Sequence, residues 1–489
     1  MNKSAVGGVL LILSSIFIAL FNYALSIILS WTLDPVAYGV IGVSQSFLFL
    51  GGWFLISGFP WVMTKALAKA DSDEVPSIYP LLKSAFYGNL LLGGLIAGGL
   101  WLATVTGLLR LSSAYSVPMG WVAVIIFLLG GRLGFDAILQ GRLEFGKLSL
   151  VRTIEVVAQF STALLLVWYG YGVSGALGGF AIGTAISLGL AVWFAKDIPF
   201  LKISSTGFPI LAALRPALPF LLANLCGVLL VNVDLLAVKF LTPSNQADLL
   251  VGQYQVAAVL ARIPYFLSQS IISIIFPIIA SHADNRLQAT RTGRQTLQLM
   301  ISVVMGLGLI LVAAPEATIA FFFPATYVAI APTLRLLAVA ISFIILAQAL
   351  AAILQARGKA SAAAMPLLLA VAIQMLALIW GVPQYEIIGA ALATVLAGLV
   401  ALVTMLLTIH RTFPTLIKVS PGQVATQISA FALLGLLLAW LPSLNRLYTA
   451  LWISVGISVY TAVLLVLWRD KFRGLYGSLR RRLYAWSNS

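Results

Sequence analysis

The chain is 489 residues long, 61% hydrophobic and only 9% charged, with 29 Lys and Arg against 14 Asp and Glu for a net charge of +15. A soluble domain carries about 25% charged residues, so a water-soluble fold of this size is excluded. The lone Cys226 excludes an intrachain disulfide and a cysteine metal cluster.

A membrane helix takes about 20 apolar residues. Uncharged gaps of that order fall at 4–33, 35–64, 84–109, 111–131, 156–195, 216–233, 263–283, 295–315, 317–334, 336–356, 360–385, 387–410, 419–445 and 447–468. The gap 156–195 is broken at Gly170-Tyr171-Gly172-Val173-Ser174-Gly175 and reads as two spans. The gap 317–334 carries Pro324 and Pro332 and reads as a loop. The expectation is an all-α polytopic membrane protein with 14 transmembrane helices. The first apolar stretch is too long for a signal peptide. Continuous rather than alternating apolar runs exclude a barrel.

With the N-terminus placed inside, 23 of the 29 basic residues fall in inner segments, six of them in the tail from Arg469 to Arg482. Only Arg110, Lys239 and Arg446 fall outside. This split supports cytoplasmic termini and an even number of spans. It also accounts for the basicity without nucleic acid as a partner. His282 and His410 stand beside basic loops and read as solvated.

The chain repeats itself. Ala137-Ile-Leu-Gln-Gly-Arg142 returns as Ala352-Ile-Leu-Gln-Ala-Arg357, an offset of 215 that Gln159 and Gln374 share. Trp168 and Trp380, Gly175-Ala176 and Gly389-Ala390, Gly42-Val-Ser-Gln45 and Gly252-Gln-Tyr-Gln255, and Phe59-Pro60 and Phe276-Pro277 match at offsets of 210 to 217. Helices 1–6 therefore pair with helices 7–12 as two parallel six-helix bundles, related by an axis along the membrane normal, with two C-terminal helices outside the repeat. The expected divisions are 1–205, 206–412 and 413–489. Pro60 and Pro277 are expected to break helices 2 and 8 at corresponding places, a pointer to a binding site, although proline is common in membrane helices.

Charge at membrane depth is costly and points to function. Arg132 and Asp136 share a helix face and are expected to pair. Glu155 reads as a partner of nearby Arg152 or as a cation site. Arg262 has no acid within a turn, and an unpaired guanidinium would receive phosphate bidentately. Arg335 opens helix 10 near the outer face, where snorkelling also explains it. Asp234 and Asp136 are candidates for coupling to H+ or Na+. Trp53, Tyr254 and Tyr265, with Phe59, Trp61 and Phe266 nearby, are aromatic candidates for sugar rings, or ordinary belt residues. Asp34-Pro35 reads as turn chemistry. Gly141 to Leu148 nearly forms a phosphate loop but lacks Ser or Thr at 148 and follows no strand. No catalytic motif, metal site or cofactor is expected, and the short outer loops argue against an enzyme such as a glycosyltransferase or ligase.

Three stretches carry a likeness: Leu33 to Gly42, Leu139 to Lys147, and Arg215-Pro216-Ala217-Leu218-Pro219-Phe220 running into Asn232-Val233-Asp234. They resemble the multidrug/oligosaccharidyl-lipid/polysaccharide (MOP) flippase superfamily, and within it the O-antigen-type polysaccharide flippases. That resemblance implies alternating-access flipping of an undecaprenyl-diphosphate-linked oligosaccharide across a bacterial inner membrane, with membrane lipids as further partners. A cation-coupled multidrug exporter and a lipid II flippase are the alternatives within the superfamily.

Overall fold

In the computed structural model, residues 3–69, 75–197, 218–242, 246–281 and 286–414 are described. The spans expected at 419–445 and 447–468, the basic tail, Arg215 to Ala217, the 205/206 boundary and His282 lie outside them. Nine helical stretches among the described residues are long and apolar enough to cross a membrane, and two of these are double. The chain is a multi-pass, helical membrane protein. α4 (Tyr79–Val105) exposes Leu91, Leu95 and Leu102, each more than 60%, at helical spacing along one face. Water would penalise such a stripe, and lipid satisfies it.

The chain divides into two compact units, Met1–Val228 and Leu229–Ser489. In the first, α1 (Lys3–Thr32) turns into α2 (Pro35–Ser57) at Asp34. The Asp34 carboxylate caps α2 by accepting from Val36 N and Ala37 N, both at 2.9 Å, with Pro35 in the first turn. α2 ends at Ser57, and α3 (Phe59–Lys69) restarts after Gly58 with Pro60 in second place. α4 meets α5 (Ser116–Gly141) through Gly93 and Gly130, whose backbones touch, and Asn89 Nδ2 donates to Gly130 O at 2.8 Å. Small residues permit this approach where lipid gives no hydrophobic drive. Met63, Leu82, Phe135, Leu148 and Ala191 gather in one core from α3, α4, α5, α6 (Phe145–Leu166) and α7 (Gly172–Ala195).

The 156–195 stretch is two spans, as expected. α6 and α7 reverse at Val167–Tyr171, where Gly170 (φ 89°) and Gly172 (φ 52°) take backbone angles that favour glycine. α7 lies directly against α6. A Cβ at Gly179 would stand 2.5 Å from Ala163 Cα. Gly179→Val should therefore cost more than the roughly 1–3 kcal/mol of ordinary overpacking, because backbone must move. Gly98→Ala, which meets nothing within 4 Å, should be neutral or slightly stabilising. Thermal unfolding in detergent compares the two.

The second unit holds most of α8 (Leu218–Leu241), then α9 (Ala247–Ala261), α10 (Ile263–Ser281), α11 (Arg286–Ala313), α12 (Pro315–Phe322), α13 (Ala331–Ala356) and α14 (Ala360–Thr412). Segment 317–334 is not a plain loop. It contains the end of α12, a 3-10 turn at Ala325–Ile330 and the start of α13, because Pro315 and Pro332 sit in first turns where proline starts helices. α14 is two spans folded back at Glu386 (φ 49°), and Gly389 packs on the carbonyl of Gly381. Both hairpin tips carry exposed aromatics, Trp168 and Tyr169 in one and Trp380 and Tyr385 in the other. That is the amphipathic belt of a membrane interface.

The expected break at Pro277 is corrected. α10 passes through position 277, and helix 8 is interrupted at Arg262 instead. Pro264 then stands second in α10 as Pro60 stands second in α3. The repeat-related proline of Pro60 is Pro264, which restarts a helix after a break rather than causing one in mid-helix.

Candidate functional site: two buried polar nodes

Among the described residues, each unit holds a polar node with an ion pair between its apolar helices. In the first unit, α5 and α6 face each other through Arg132 and Glu155. Arg132 Nη1 donates to Glu155 Oε2 at 2.7 Å and lies 3.4 Å from Asp136 Oδ2. The Arg132–Asp136 pair is the one expected, but Glu155 pairs with Arg132 and not with Arg152. Arg152, partly exposed, reaches Asp136 Oδ2 at 3.6 Å instead. The reason is rotation along the helix. Glu155 turns its carboxylate inward to α5, while Arg152 lies nearly a turn earlier at the edge. Gln159 Nε2 donates to Thr184 Oγ1 at 3.3 Å, and Thr184 Oγ1 is 3.5 Å from Glu155 Oε1. α7 brings Thr184 in because Gly183 has no side chain. A Cβ there would fall 2.7 Å from Gln159 N.

In the second unit, α8 supplies Asp234. Its Oδ2 accepts from Tyr254 Oη at 2.7 Å and lies 3.5 Å from Thr394 Oγ1. Its Oδ1 accepts from Leu235 N at 2.9 Å. Arg262, buried at the α9–α10 break, donates to Val231 O at 2.5 Å and stands 3.6 Å from Asp234 Oδ1. Gln374 Nε2 donates to Leu230 O and, at 3.3 Å, to Thr394 Oγ1. Gln374 Oε1 is buried and accepts no hydrogen bond from the described residues.

The two nodes match. Gln159–Thr184 and Gln374–Thr394 are the same pair at offsets of 215 and 210, each with a carboxylate beside the threonine and a guanidinium beside the carboxylate. The carboxylate and guanidinium come from different helices in the two units. Gln and Thr are the shared frame, and the ion pair is grafted on.

Residues 5–283 match the family model described as polysaccharide biosynthesis protein. The chain belongs to that family. The fold of the chain is similar to that of the lipid II flippase MurJ in an inward closed conformation, at TM-score 0.74 and 16% identity over 95% of this chain and 100% of that one. An inward-facing multidrug resistance MATE transporter of the MOP superfamily matches at TM-score 0.61 and 14% identity, covering 83% of this chain and 98% of its own. A mutant of the Vibrio cholerae MATE transporter VcmN matches at 0.60 and 12%, covering 85% and 98%. No curated protein matches the chain in sequence. Its fold is the one shared by the flippase and by the MATE transporters, the latter members of the MOP superfamily.

One expectation about this family member changes. Arg262 is not unpaired, because the acid that meets it comes from α8 rather than from its own helix. Tyr254 is fully buried, and its hydroxyl donates to Asp234 Oδ2. Trp53 is half-buried on α2, and Trp61 on α3 is covered by Lys65, whose Nζ sits 4.7 Å from the ring centroid. Tyr265 packs edge-on to Phe266 at 5.5 Å. Arg335, nearly half exposed, grips Glu316 at 2.9 and 3.1 Å and belongs to neither node. Exposed pairs contribute about 0–1 kcal/mol, so Arg335→Ala should leave the melting temperature and transport nearly unchanged. Equal transport rates for the variant and the parent protein check this.

Of Thr184, Thr394 and Gln374, Gln374 alone was readable, by asking what the repeat keeps polar. Gln374 already stood in the repeat through Gln159. The threonines gave no signal, since one hydroxyl in an apolar run is commonplace.

Proposed function

We propose that this protein moves an oligosaccharide linked to undecaprenyl diphosphate from the inner to the outer leaflet of a bacterial inner membrane by alternating access. The observation that carries the reading is the family match joined to a fold shared with a lipid II flippase over nearly the whole of both chains. The lipid tail can stay in the bilayer, so only the head group needs a polar path. The excess of Lys and Arg in alternate loops supports cytoplasmic termini. In this reading the protein transports and catalyses no bond change.

Arg262 is the residue proposed to take the diphosphate. Its contact with Asp234, at 3.6 Å, is not a hydrogen bond, and it sits at a helix break. A diphosphate offers more charge and bidentate oxygens, so it can draw the guanidinium off Asp234. Asp234 then lacks a cation at membrane depth and takes H+ or Na+. Substrate and ion would be coupled through one exchanged guanidinium. Arg132 is held at 2.7 Å and is assigned to holding the first unit together. Asp136 lies between two guanidiniums and is already compensated.

The test is flipping of a defined undecaprenyl-diphosphate oligosaccharide in vesicles containing the purified protein. Movement of glycan under an imposed ion gradient is the expected result. Drug efflux without glycan movement would assign the chain to cation-coupled export, the reading that the fold of the MATE transporters also supports. Rescue of a strain depleted of its lipid II flippase would name lipid II as the substrate.

A further inference from the structure

One polar group in the second unit belongs to neither node. α10 places Tyr265 one turn after Arg262 and Gln269 one turn further on the same face. α13 brings Gln348 against them. Gln269 Nε2 donates to Gln348 Oε1 at 2.6 Å. The Tyr265 hydroxyl meets the side-chain amides of both glutamines. Tyr265 is buried, both glutamines are partly exposed, and Phe266 beside the tyrosine is 37% exposed. α10, and α13 beyond Arg335, are uncharged and apolar. An amide that opens onto lipid lacks partners and is heavily penalised, so the open side of this trio faces water or a polar ligand.

The chemistry narrows the ligand. Amides and a phenol each donate and accept, which is what sugar hydroxyls and N-acetyl groups require. The trio carries no formal charge, and the guanidinium one turn away is matched by Asp234. With Arg262 assigned to the diphosphate, a uronic carboxylate on the sugar would call for a further Arg or Lys beside the trio. We infer that Tyr265, Gln269 and Gln348 form the part of the translocation path that recognises an uncharged sugar of the lipid-linked glycan. The inference rests on the flippase reading above.

The experiment uses the full chain in phosphatidylethanolamine–phosphatidylglycerol vesicles. Two probes are compared: undecaprenyl diphosphate carrying a neutral hexose–N-acetylhexosamine disaccharide, and the same lipid with a hexuronic acid in place of the hexose. Flipping is read as accessibility of the sugar to an external glycosidase. The parent protein is expected to move the neutral probe faster. Gln269→Leu with Gln348→Leu should slow the neutral probe at least about tenfold, the size of one or two unmade hydrogen bonds, without lowering the melting temperature. Gln348→Asn should keep more of the rate than Gln348→Leu. Neutral-probe rates equal to the parent's in the leucine pair overturn the inference while the flippase reading stands. If the leucine pair unfolds, Gln348→Glu is read instead, and an unchanged neutral-probe rate in that variant also overturns it. Failure of the parent protein to move either probe removes the flippase reading, and this inference with it.

Discussion

Arg262→Ala is expected to abolish glycan export and to lower the yield of folded protein as well. The guanidinium is the cation facing Asp234, and removing it leaves a carboxylate buried at membrane depth with Tyr254 Oη, Thr394 Oγ1 and Leu235 N as its partners among the described residues. Breaking one side of a buried pair costs about 3–5 kcal/mol. That is a large share of the total stability of about 5–15 kcal/mol typical of a domain. The single variant therefore cannot distinguish a structural arginine from one that touches substrate. The double variant Asp234→Asn with Arg262→Gln can. It removes both charges and keeps donors and acceptors of similar size, so the melting temperature should return to within a few degrees of the parent's. Export should stay lost, because no guanidinium remains for the diphosphate. Export restored by the double variant would reduce Arg262 to a structural role and remove the proposed exchange. Asp234→Asn alone should still flip glycan, but without response to an imposed proton or sodium gradient.

The reasons that some of this was legible lie in what membranes demand of sequence. Charge is excluded from lipid, so the gaps between charges located the spans, and Glu386 marked the reversal inside a helical stretch of 53 residues. Gly170 and Gly172 marked the other reversal, since their backbone angles suit glycine. The break in helix 8 was misplaced because Phe276-Pro277 copies Phe59-Pro60 in letters. What matters physically is place within a helix, and Pro264 has the place of Pro60. Arg262 looked unpaired because a partner was sought within one turn of its own helix. The partner lies 28 residues back on α8 and is brought in by tertiary packing, which no local pattern encodes. The bond from Tyr254 to Asp234 was missed for the same reason: aromatic character says nothing of which helix face is covered. Gln269 and Gln348 were passed over because counting charges is blind to amides.

The first node should answer its own tests differently from the second. Arg132→Ala removes the hydrogen-bonded cation of Glu155, but Asp136 keeps Arg152 at 3.6 Å. The loss should therefore fall mainly on Glu155. Arg132→Ala is expected to destabilise by about 3–5 kcal/mol, as for a broken buried pair. Adding Glu155→Gln should recover most of that loss, because a neutral amide can still bond to Thr184 and needs no cation. Adding Asp136→Asn instead should recover little. The difference between the two double variants is a coupling energy, and contacting residues show couplings of about 0.5–3 kcal/mol. Melting temperatures of the three variants in one detergent supply it. Flipping by the Arg132→Ala, Glu155→Gln variant should stay within a few-fold of the parent's, since a pair held at 2.7 Å inside one unit fixes helices rather than trading partners. Flipping lost in that variant with folding intact would move substrate handling into the first unit. It would also put the Gln159–Thr184 node on the same footing as its repeat.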